Sequence, residues 1–318
     1  MGRRRTQVAG VVAILLASAT ACSDDGDGDG PTPSPTVTSA SASPTGSGSA
    51  TSPPASPSTT SSPSAPSPSA TTPAATLRSI PVYYVAESRR SFALYREFRT
   101  VPDTGGPVAS AVSAMTRLAP LDPDYASPWR PARRTSVTQR GGAIAVDLSA
   151  DAFSNGNVGS EVAEVAVQQL VHTATAAASQ SGTPATTVTI TKDGRAADAW
   201  GAVRIGSPMR RAPMAEIQAH AWVTSPQEGE VRRAGTVAFT GYGTSFEANF
   251  PWVVRTSAGK EVARGFVMGG TGSGGFGAMS FSARLGPGRY TVTLSTDDAS
   301  GGAEGNGPAT DDKTFTVR

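Results

Sequence analysis

The chain has 318 residues, of which 38% are hydrophobic, and its 27 lysines and arginines against 25 aspartates and glutamates give a formal net charge of +2. This near balance, without a basic patch that stands out, argues against nucleic acid as a partner. Cys22 is the only cysteine, so no internal disulfide holds the fold together. The two histidines, His172 and His220, do not have the spacing of the familiar zinc motifs.

Residues 1–21 have the three-part order of a secretory signal peptide. Arginines at 3–5 are followed by an apolar run at 8–17 (VAGVVAILLA) and by small residues up to Ala21. Ten apolar residues are too few to span a hydrocarbon core of about 30 Å. With Cys22 next, the segment resembles a bacterial lipoprotein signal, although Ala19 stands where these signals usually carry leucine. The resemblance implies a diacylglyceryl anchor on Cys22 that holds the chain on the extracytoplasmic side of the cell membrane; the alternative is an ordinary signal peptide cut after Ala21.

Residues 22–76 are predicted to be a disordered tether. From Pro31 to Thr76, 35 of 46 residues are serine, threonine or proline, and none is charged. Such a segment has too little apolar surface to offset the entropy of ordering. We expect a flexible to semi-extended spacer without a binding role of its own.

Residues 77–207 are predicted to form a mixed α/β (α+β) domain with the order β-β-α-β-β-α-β. The predicted elements are strands at 82–85 and 92–101, a helix at 107–118, a hairpin at 137–148 that turns at Gly141-Gly142, a helix at 160–179 and a strand at 186–194. Pro107 suits the first turn of a helix, and apolar residues recur at helical spacing in both helical segments. Gly182 and Pro184 are expected to end the second helix.

Residues 216–318 are predicted to form an all-β immunoglobulin-like sandwich, after a proline-containing connector, Gly206–Glu216. About seven short strands in roughly 100 residues, separated by turn sequences, are typical of that architecture. Phe246, Ala248 and Phe250 alternate with Ser245, Glu247 and Asn249. This alternation predicts a strand with one buried and one solvent-facing side.

Two ordered sets of segments resemble known families. IPVYYV, YREFRTVP, AIAVDLS and AVQQLVHTATAAASQSGTPATTVTITKDG resemble the GerMN domain of sporulation and spore-germination lipoproteins, also found in LpqB-type actinobacterial lipoproteins. VTSPQEGEV, FTGYGTSFEANF and GPGRYTVTLSTDDASGG resemble the immunoglobulin-like Gmad domain of spore germination proteins. The resemblance implies an actinobacterial envelope lipoprotein that scaffolds extracytoplasmic assemblies. The usual loop pieces of GerMN domains are altered here, to Ala119-Pro120 and Ala132–Thr135, so a function of that loop is not expected to transfer.

No catalytic constellation is evident in the sequence. It has no Gly-x-Ser-x-Gly and no cysteine placed for catalysis, and both histidines are expected to be ordinary structural residues. Gly270-x-Gly272-x-x-Gly275 lacks the strand-turn-helix context of a nucleotide site and is expected to be a loop between strands. We therefore predict a protein that is not an enzyme and has no cofactor.

Glu247 and Asn249, within the FEANF motif, and Arg99 are the predicted partner-binding residues. The partner is predicted to be an extracytoplasmic protein, or alternatively peptidoglycan or another cell-wall polymer. Anionic wall polymers would favour arginine contacts, and Arg96, Arg133 and Arg134 are further candidates. Trp129 and Trp252 are expected to pack inside rather than stack on sugars. The acidic stretch Asp297–Asp312 is expected to be a solvated loop, with a weak calcium site as the alternative.

Overall fold

The computed structural model describes residues 75–89, 91–297 and 307–318. The predicted signal peptide, Cys22 and almost all of the predicted tether lie outside the described residues. In the part that is described, no helix is both long and apolar enough to cross a membrane.

Two long antiparallel strands open the first part of the fold. β1 (Thr76–Ser88) and β2 (Ser91–Pro102) are both longer than predicted. The middle of β1 is buried on both faces, because Val82 and Tyr84 join the main core while Tyr83 and Val85 join a second apolar cluster. The ribbon therefore lies between two apolar layers, which explains why its sequence reads as a continuous apolar run.

The remaining predicted elements of the first part are present in the predicted order. They are α1 (Pro107–Arg117), β3 (Thr135–Arg140), β4 (Ala143–Leu148), α2 (Ser160–Gln180) and β5 (Thr187–Lys192). The structure adds a 3-10 turn at Ala150–Phe153 and the short strands β6 (Ala197–Ala199), β7 (Val203–Ile205) and β8 (Pro208–Met209). β3, β4, β5 and β8 form one sheet in that order, with β4 and β5 parallel. Helix α2 makes this parallel crossover between β4 and β5.

The connector predicted at Gly206–Glu216 is packed against the first part. Met209 of β8 pairs with Val188 of β5. The short helix α3 (Met214–Ile217) follows, and Ile217 is buried in the apolar cluster that contains Tyr83 and Leu94. The prolines of the connector predict a break in regular structure, but they do not predict the apolar contacts that this segment makes with the first part.

The second part is a sandwich of two β-sheets. Its strands are β9 (Ala221–Ser225), β10 (Val231–Arg232), β11 (Gly235–Gly243), β12 (Asn249–Thr256), β13 (Glu261–Met268), β14 (Gly277–Leu285), β15 (Gly288–Ser295) and β16 (Thr310–Val317). One sheet has the order β10-β16-β15-β12-β13 and the other β14-β11-β9. Phe239, Phe250, Val292 and Phe315 lie in the core between them. In β15, buried Tyr290, Val292 and Leu294 alternate with partly exposed residues.

The prediction of a continuous strand through Phe246 is wrong. β11 ends at Gly243 and β12 begins at Asn249, and a turn lies between them, with the Ala248 N–H donating to the Ser245 carbonyl at 3.1 Å. Ala248 has a φ of 55°, in the left-handed region, which breaks the period-two alternation of a strand. Phe246 is consequently 86% exposed. We call residues 244–248 the exposed turn after its two exposed residues, Phe246 and Glu247; Thr244, Ser245 and Ala248 are buried.

The two parts share buried contacts. Trp222 of β9 is buried in the core of the first part, and Tyr242 and Phe276 of the sandwich pack against the same core. The Phe98 N–H of β2 donates to the Gln227 side-chain oxygen at 2.8 Å. The apolar core of the first part therefore extends across the junction to Trp222 of β9.

Candidate functional site

A buried charge cluster lies where the two parts meet. Lys313 of β16 donates from Nζ to the Asp122 carboxylate at 2.6 Å, to the Tyr125 hydroxyl at 2.6 Å and to both Asp311 carboxylate oxygens at 2.9 Å. Asp122 and Tyr125 belong to the loop after α1, whereas Asp311 and Lys313 belong to the last strand of the sandwich. The side chains of Lys313, Asp122 and Asp311 are each 4% exposed. We call these four residues the junction cluster.

Burial and charge both act on the junction cluster. Burial raises the pKa of Asp311 to about 6, although Lys313 and the Tyr125 hydroxyl act in the opposite direction. Burial by itself lowers the pKa of Lys313, but Asp311 and Asp122 outweigh it, so that its pKa lies above the ordinary value. Lys313 therefore stays charged, and its removal would leave two carboxylates buried without their cation.

The position of Asp311 corrects the expectation of a solvated acidic loop at 297–312. Asp311 and Asp312 belong to β16, and Asp311 accepts a hydrogen bond from the Val223 backbone N–H at 2.7 Å as well as from Lys313. Asp298 and Glu304, which also entered the calcium hypothesis, lie outside the described residues. No group of three or more potential metal ligands occurs in the described ranges.

The predicted binding residues Glu247 and Asn249 lie at and beside the exposed turn. Glu247 is exposed, and Asn249 is half-buried as the first residue of β12, opposite Met268 of β13. The Asn249 Oδ1 atom is buried and has no hydrogen-bond partner among the described residues. The exposed turn thus places a carboxylate and an exposed aromatic side chain, Phe246, next to each other in sequence.

Phe246 was missed as a site residue because its place in an apparent alternation predicted burial. A cleft of about 610 Å³ lies beside it, with Thr244, Ser245, His220 and Gly272 among the lining residues. Residues 269–276 connect β13 to β14, so the expectation of a loop between strands for the glycine-rich segment is confirmed. Its backbone turns between Thr271 and Gly275, whose N–H donates to the Thr271 hydroxyl at 2.9 Å.

Arg99 lies away from the exposed turn, inside the first part. Its guanidinium donates to Glu97, to the Tyr84 hydroxyl and to the Ala119 carbonyl, each at 2.9 Å, and its side chain is only 12% exposed. The Glu97 carboxylate also accepts the Leu121 N–H at 2.8 Å. Arg99 and Glu97 therefore fasten the loop after α1 to β2, next to the junction cluster.

Arg133 and Arg134 differ in their availability to a ligand. Arg134 is paired with Asp147 and with Asp193. The Arg133 side chain is 92% exposed, and its guanidinium lies 3.9 Å from Asp151. An open groove of about 480 Å³ runs beside α1 and is lined by residues that include Arg117, Arg133, Val101, Ala109 and Leu118.

His172, Trp129 and Trp252 pack inside the fold. His172 is fully buried in α2, and burial lowers its pKa to about 3, so it is neutral at ordinary pH. Its Nδ1 lies 3.3 Å from the Gln218 amide nitrogen. Trp129 is buried and donates to the Ala166 carbonyl at 3.0 Å, and Trp252 stacks on Phe281 with 4.6 Å between ring centroids.

Two family models match the chain. Residues 81–198 match the Germane family, described as sporulation and spore germination, and residues 220–303 match the Gmad2 family, described as the immunoglobulin-like domain of bacterial spore germination. Both spore-germination domains are present in tandem. Below, the Germane region means the whole first part of the fold, and the Gmad2 region means the whole second part.

Comparison with other proteins adds little to these matches. No curated protein sequence matches the chain. Among solved structures, CopC from Methylosinus trichosporium OB3b is 20% identical to this chain, with a TM-score of 0.23. The match covers 31% of this chain and 93% of the CopC chain. An engineered protein is 16% identical to this chain, with a TM-score of 0.25. The match covers 52% of this chain and 39% of the engineered chain. Likenesses at these TM-scores support no argument about function.

Proposed function

We propose that this chain is a non-catalytic lipoprotein of the sporulation and germination type, anchored through diacylglyceryl-Cys22 on the extracytoplasmic side of the cell membrane. In this proposal it presents the Germane and Gmad2 regions as one unit to an extracytoplasmic protein partner. The tandem of two germination-associated domains and the lipoprotein-like signal at residues 1–22 support it.

The observation that carries the binding role is the exposure of Phe246. An aromatic side chain that is 86% exposed leaves a large apolar surface in water, and covering that surface favours association. Aromatic residues are enriched among those that contribute most to protein interfaces. Glu247, adjacent and exposed, adds a charge that would orient a basic group of the partner.

The junction cluster supports presentation of the two regions as one unit. Lys313 contacts carboxylates of both regions, and separation of the regions would remove the Asp122 partner of its ammonium group while Asp311 stays with it. The orientation of the exposed turn relative to the Germane region is therefore fixed by the same contacts that join the regions.

The experiment is chemical crosslinking in cells that express the anchored chain, followed by mass spectrometry of the captured proteins. Phe246→Ser and Cys22→Ala are compared with Val231→Ser, which removes another exposed apolar side chain, on β10. We expect discrete envelope proteins with the unmodified chain and with Val231→Ser, and their loss with Phe246→Ser and with Cys22→Ala. Capture that is unchanged by Phe246→Ser would contradict a binding role for the exposed turn.

Binding of a cell-wall polymer is the second candidate, and the groove beside α1 favours it. Arg133 is almost fully exposed at this groove, and an arginine suits phosphate or carboxylate groups of an anionic polymer. The test is co-sedimentation of the purified chain with insoluble cell wall, comparing Arg133→Glu with Arg204→Glu, a control at another exposed arginine. Specific loss with Arg133→Glu supports polymer binding; equal sedimentation of both variants and the unmodified chain contradicts it.

A further inference from the structure

The sheet edges of the Gmad2 region differ in how they are protected. Edge strands expose unpaired backbone groups, and natural proteins protect them by short length, covering segments or polar side chains. β10 has only two residues, and β9 lies against the Germane region through Trp222. β14 carries outward-facing residues that are small or charged, namely Ala278, Ser280, Ser282 and Arg284.

β13 is protected only in its first half, by a β-bulge at Val262 and by the charged side chains of Glu261 and Arg264. It has eight residues and ends the five-stranded sheet, and no strand among the described residues pairs with its outer edge. Phe266 is 73% exposed and Met268 is 60% exposed. Both lie on the outer face, because Phe266 is opposite Pro251 and Met268 is opposite Asn249. A long edge strand with exposed apolar side chains is a template for pairing with another strand.

We propose that β13 pairs antiparallel with β13 of a second copy of this chain, about a two-fold axis at Gly265. This register places Arg264 opposite Phe266 of the second copy, and by symmetry Phe266 opposite Arg264 of the second copy. At the end of the ladder it places Val262, the extra residue of a β-bulge between β13 and β12, opposite Met268 of the second copy. Side chains on one face of a strand recur every two residues, so in this register the outer faces of both strands stay on the same side of the joined sheet.

The cross-strand pairs in this register are chemically complementary. An arginine over an aromatic ring is stabilised by the ring quadrupole. The same combination already occurs on β2, where the Arg96 guanidinium lies 4.9 Å from the centroid of the Phe98 ring. The Arg264 side chain is 78% exposed and is ion-paired with Glu261 of its own strand, at 3.1 Å from Nε to the carboxylate. An exposed pair of this kind typically contributes less than about 1 kcal/mol, so it opposes a contact across the axis only weakly.

The neighbouring registers are less favourable. A shift that centres the axis on Arg264 opposes two like charges, which is destabilising across a strand pair. A shift that centres it on Phe266 places Phe266 opposite its own copy and leaves Arg264 opposite Met268, without an aromatic partner. The axis at Gly265 is therefore the register that forms two arginine–phenylalanine pairs.

The dimer is expected to be weak in solution. Two paired edge strands bury an area at the low end for specific interfaces, below about 1,200 Å², which is consistent with a dissociation constant in the micromolar range. The inference does not rest on the proposed function, because it concerns the purified chain alone. On a membrane, confinement would raise the effective concentration and the occupancy of the dimer.

The test is sedimentation-equilibrium centrifugation of the purified full chain carrying Cys22→Ser, which prevents a disulfide through the lone cysteine. We expect concentration-dependent dimerisation of this chain. Phe266→Arg places arginine opposite arginine and should weaken the dimer at least about tenfold. Val231→Arg is the matched control, since Val231 is exposed at the opposite edge of the same sheet, and it should dimerise as the Cys22→Ser chain does.

The double variant Arg264→Glu/Phe266→Arg tests the register. It places a glutamate opposite the new arginine at both pairs and should restore dimerisation. Circular dichroism checks that each variant is folded. We expect the variants to fold because the side chains of Arg264 and Phe266 are both exposed. A chain that remains monomeric up to about 0.5 mM, well above micromolar dissociation constants, overturns the proposal. So does dimerisation that is unaffected by Phe266→Arg, or a double variant that is not restored.

Discussion

Lys313 of the Gmad2 region reaches Asp122 of the Germane region with 2.6 Å between Nζ and the carboxylate oxygen, and both side chains are almost completely buried. This contact joins residues 191 positions apart in the chain. Because Asp311 shares the same ammonium group, one lysine pairs with carboxylates from both sides of the junction. The relationship ties the stability of the two regions to each other.

Replacement of Lys313 by methionine should be strongly destabilising. The substitution keeps side-chain bulk but leaves Asp122 and Asp311 without their cation, which typically costs about 3–5 kcal/mol in a buried cluster. Urea unfolding measures the change in the free energy of unfolding. Arg204→Met is the control, because the Arg204–Asp198 pair is exposed and should contribute less than about 1 kcal/mol. Equal losses in the two variants would show that the junction cluster does not stabilise the fold.

The stability contributed by Asp311 should fall as the pH rises. Its pKa increases from 3.8 to about 6 on folding, so the folded chain binds the proton more tightly than the unfolded chain. That contribution is fully present below about pH 4 and is lost as the pH rises through 6, by on the order of 1–3 kcal/mol. The free energy of unfolding of the unmodified chain minus that of Asp311→Asn should therefore decrease between pH 4 and pH 7.

The contribution of His172 to stability changes with pH in the opposite direction to that of Asp311. For this reason the difference between the unmodified chain and Asp311→Asn is measured, rather than the stability of the unmodified chain alone. The pKa of His172 falls from 6.5 to about 3 on folding, so its contribution is present above pH 6.5 and is lost as the pH falls. This contribution is common to the unmodified chain and the variant, and it cancels in the difference. A flat difference for Asp311→Asn would refute the assigned direction.

Arg99→Ala should lower stability without reducing partner capture. The substitution removes three hydrogen bonds that join β2 to the loop after α1 and leaves Glu97 partly unpaired, at a cost of about 1–3 kcal/mol. Thermal unfolding measures the loss, and the crosslinking assay run well below the unfolding temperature measures capture. If capture is lost while the chain remains folded, Arg99 is a binding residue as the sequence predicts, and its internal hydrogen bonds are not its main role.

Gly243→Ala should destabilise the Gmad2 region. A Cβ atom at Gly243 would lie 2.2 Å from the His220 carbonyl oxygen and 3.0 Å from the Phe250 ring, so the backbone at the start of the exposed turn would have to move. Overpacking of this kind typically costs about 1–3 kcal/mol. Gly286→Ala is the matched control, since nothing lies within 4 Å of its added Cβ. Chemical denaturation of the two variants should separate them, and similar midpoints would contradict the close approach described.

Much of the fold is predictable because its local patterns agree with its contacts. The helices at Pro107–Arg117 and Ser160–Gln180 carry periodic apolar faces, and Gly141-Gly142 marks the β3–β4 turn. The exposed turn was misread because Phe246 and Phe250 have the spacing of a strand face. The left-handed conformation of Ala248 places Phe246 outside the strand that contains Phe250. Alanine rarely adopts this conformation, so the sequence gives no sign of it.

The binding residues were only partly predictable, for physical reasons. Glu247 was found at a solvent-facing position, but the exposure of Phe246 depends on the turn. In β13 the residues of both faces include apolar side chains, so alternation does not say that Phe266 and Met268 face outward. The junction cluster joins residues far apart in the chain, and nothing local to Asp311 and Lys313 indicates that they pair with Asp122.

The most direct measurement of the central claim is site-specific photocrosslinking in cells, with a photoreactive amino acid at position 247 of the anchored chain and, for comparison, at position 231. Both side chains are exposed, so both probes are accessible to solvent. The account predicts discrete protein adducts from position 247 and not from position 231. The same adducts from both positions, or adducts with wall fragments alone, would contradict the exposed turn as a protein-binding site.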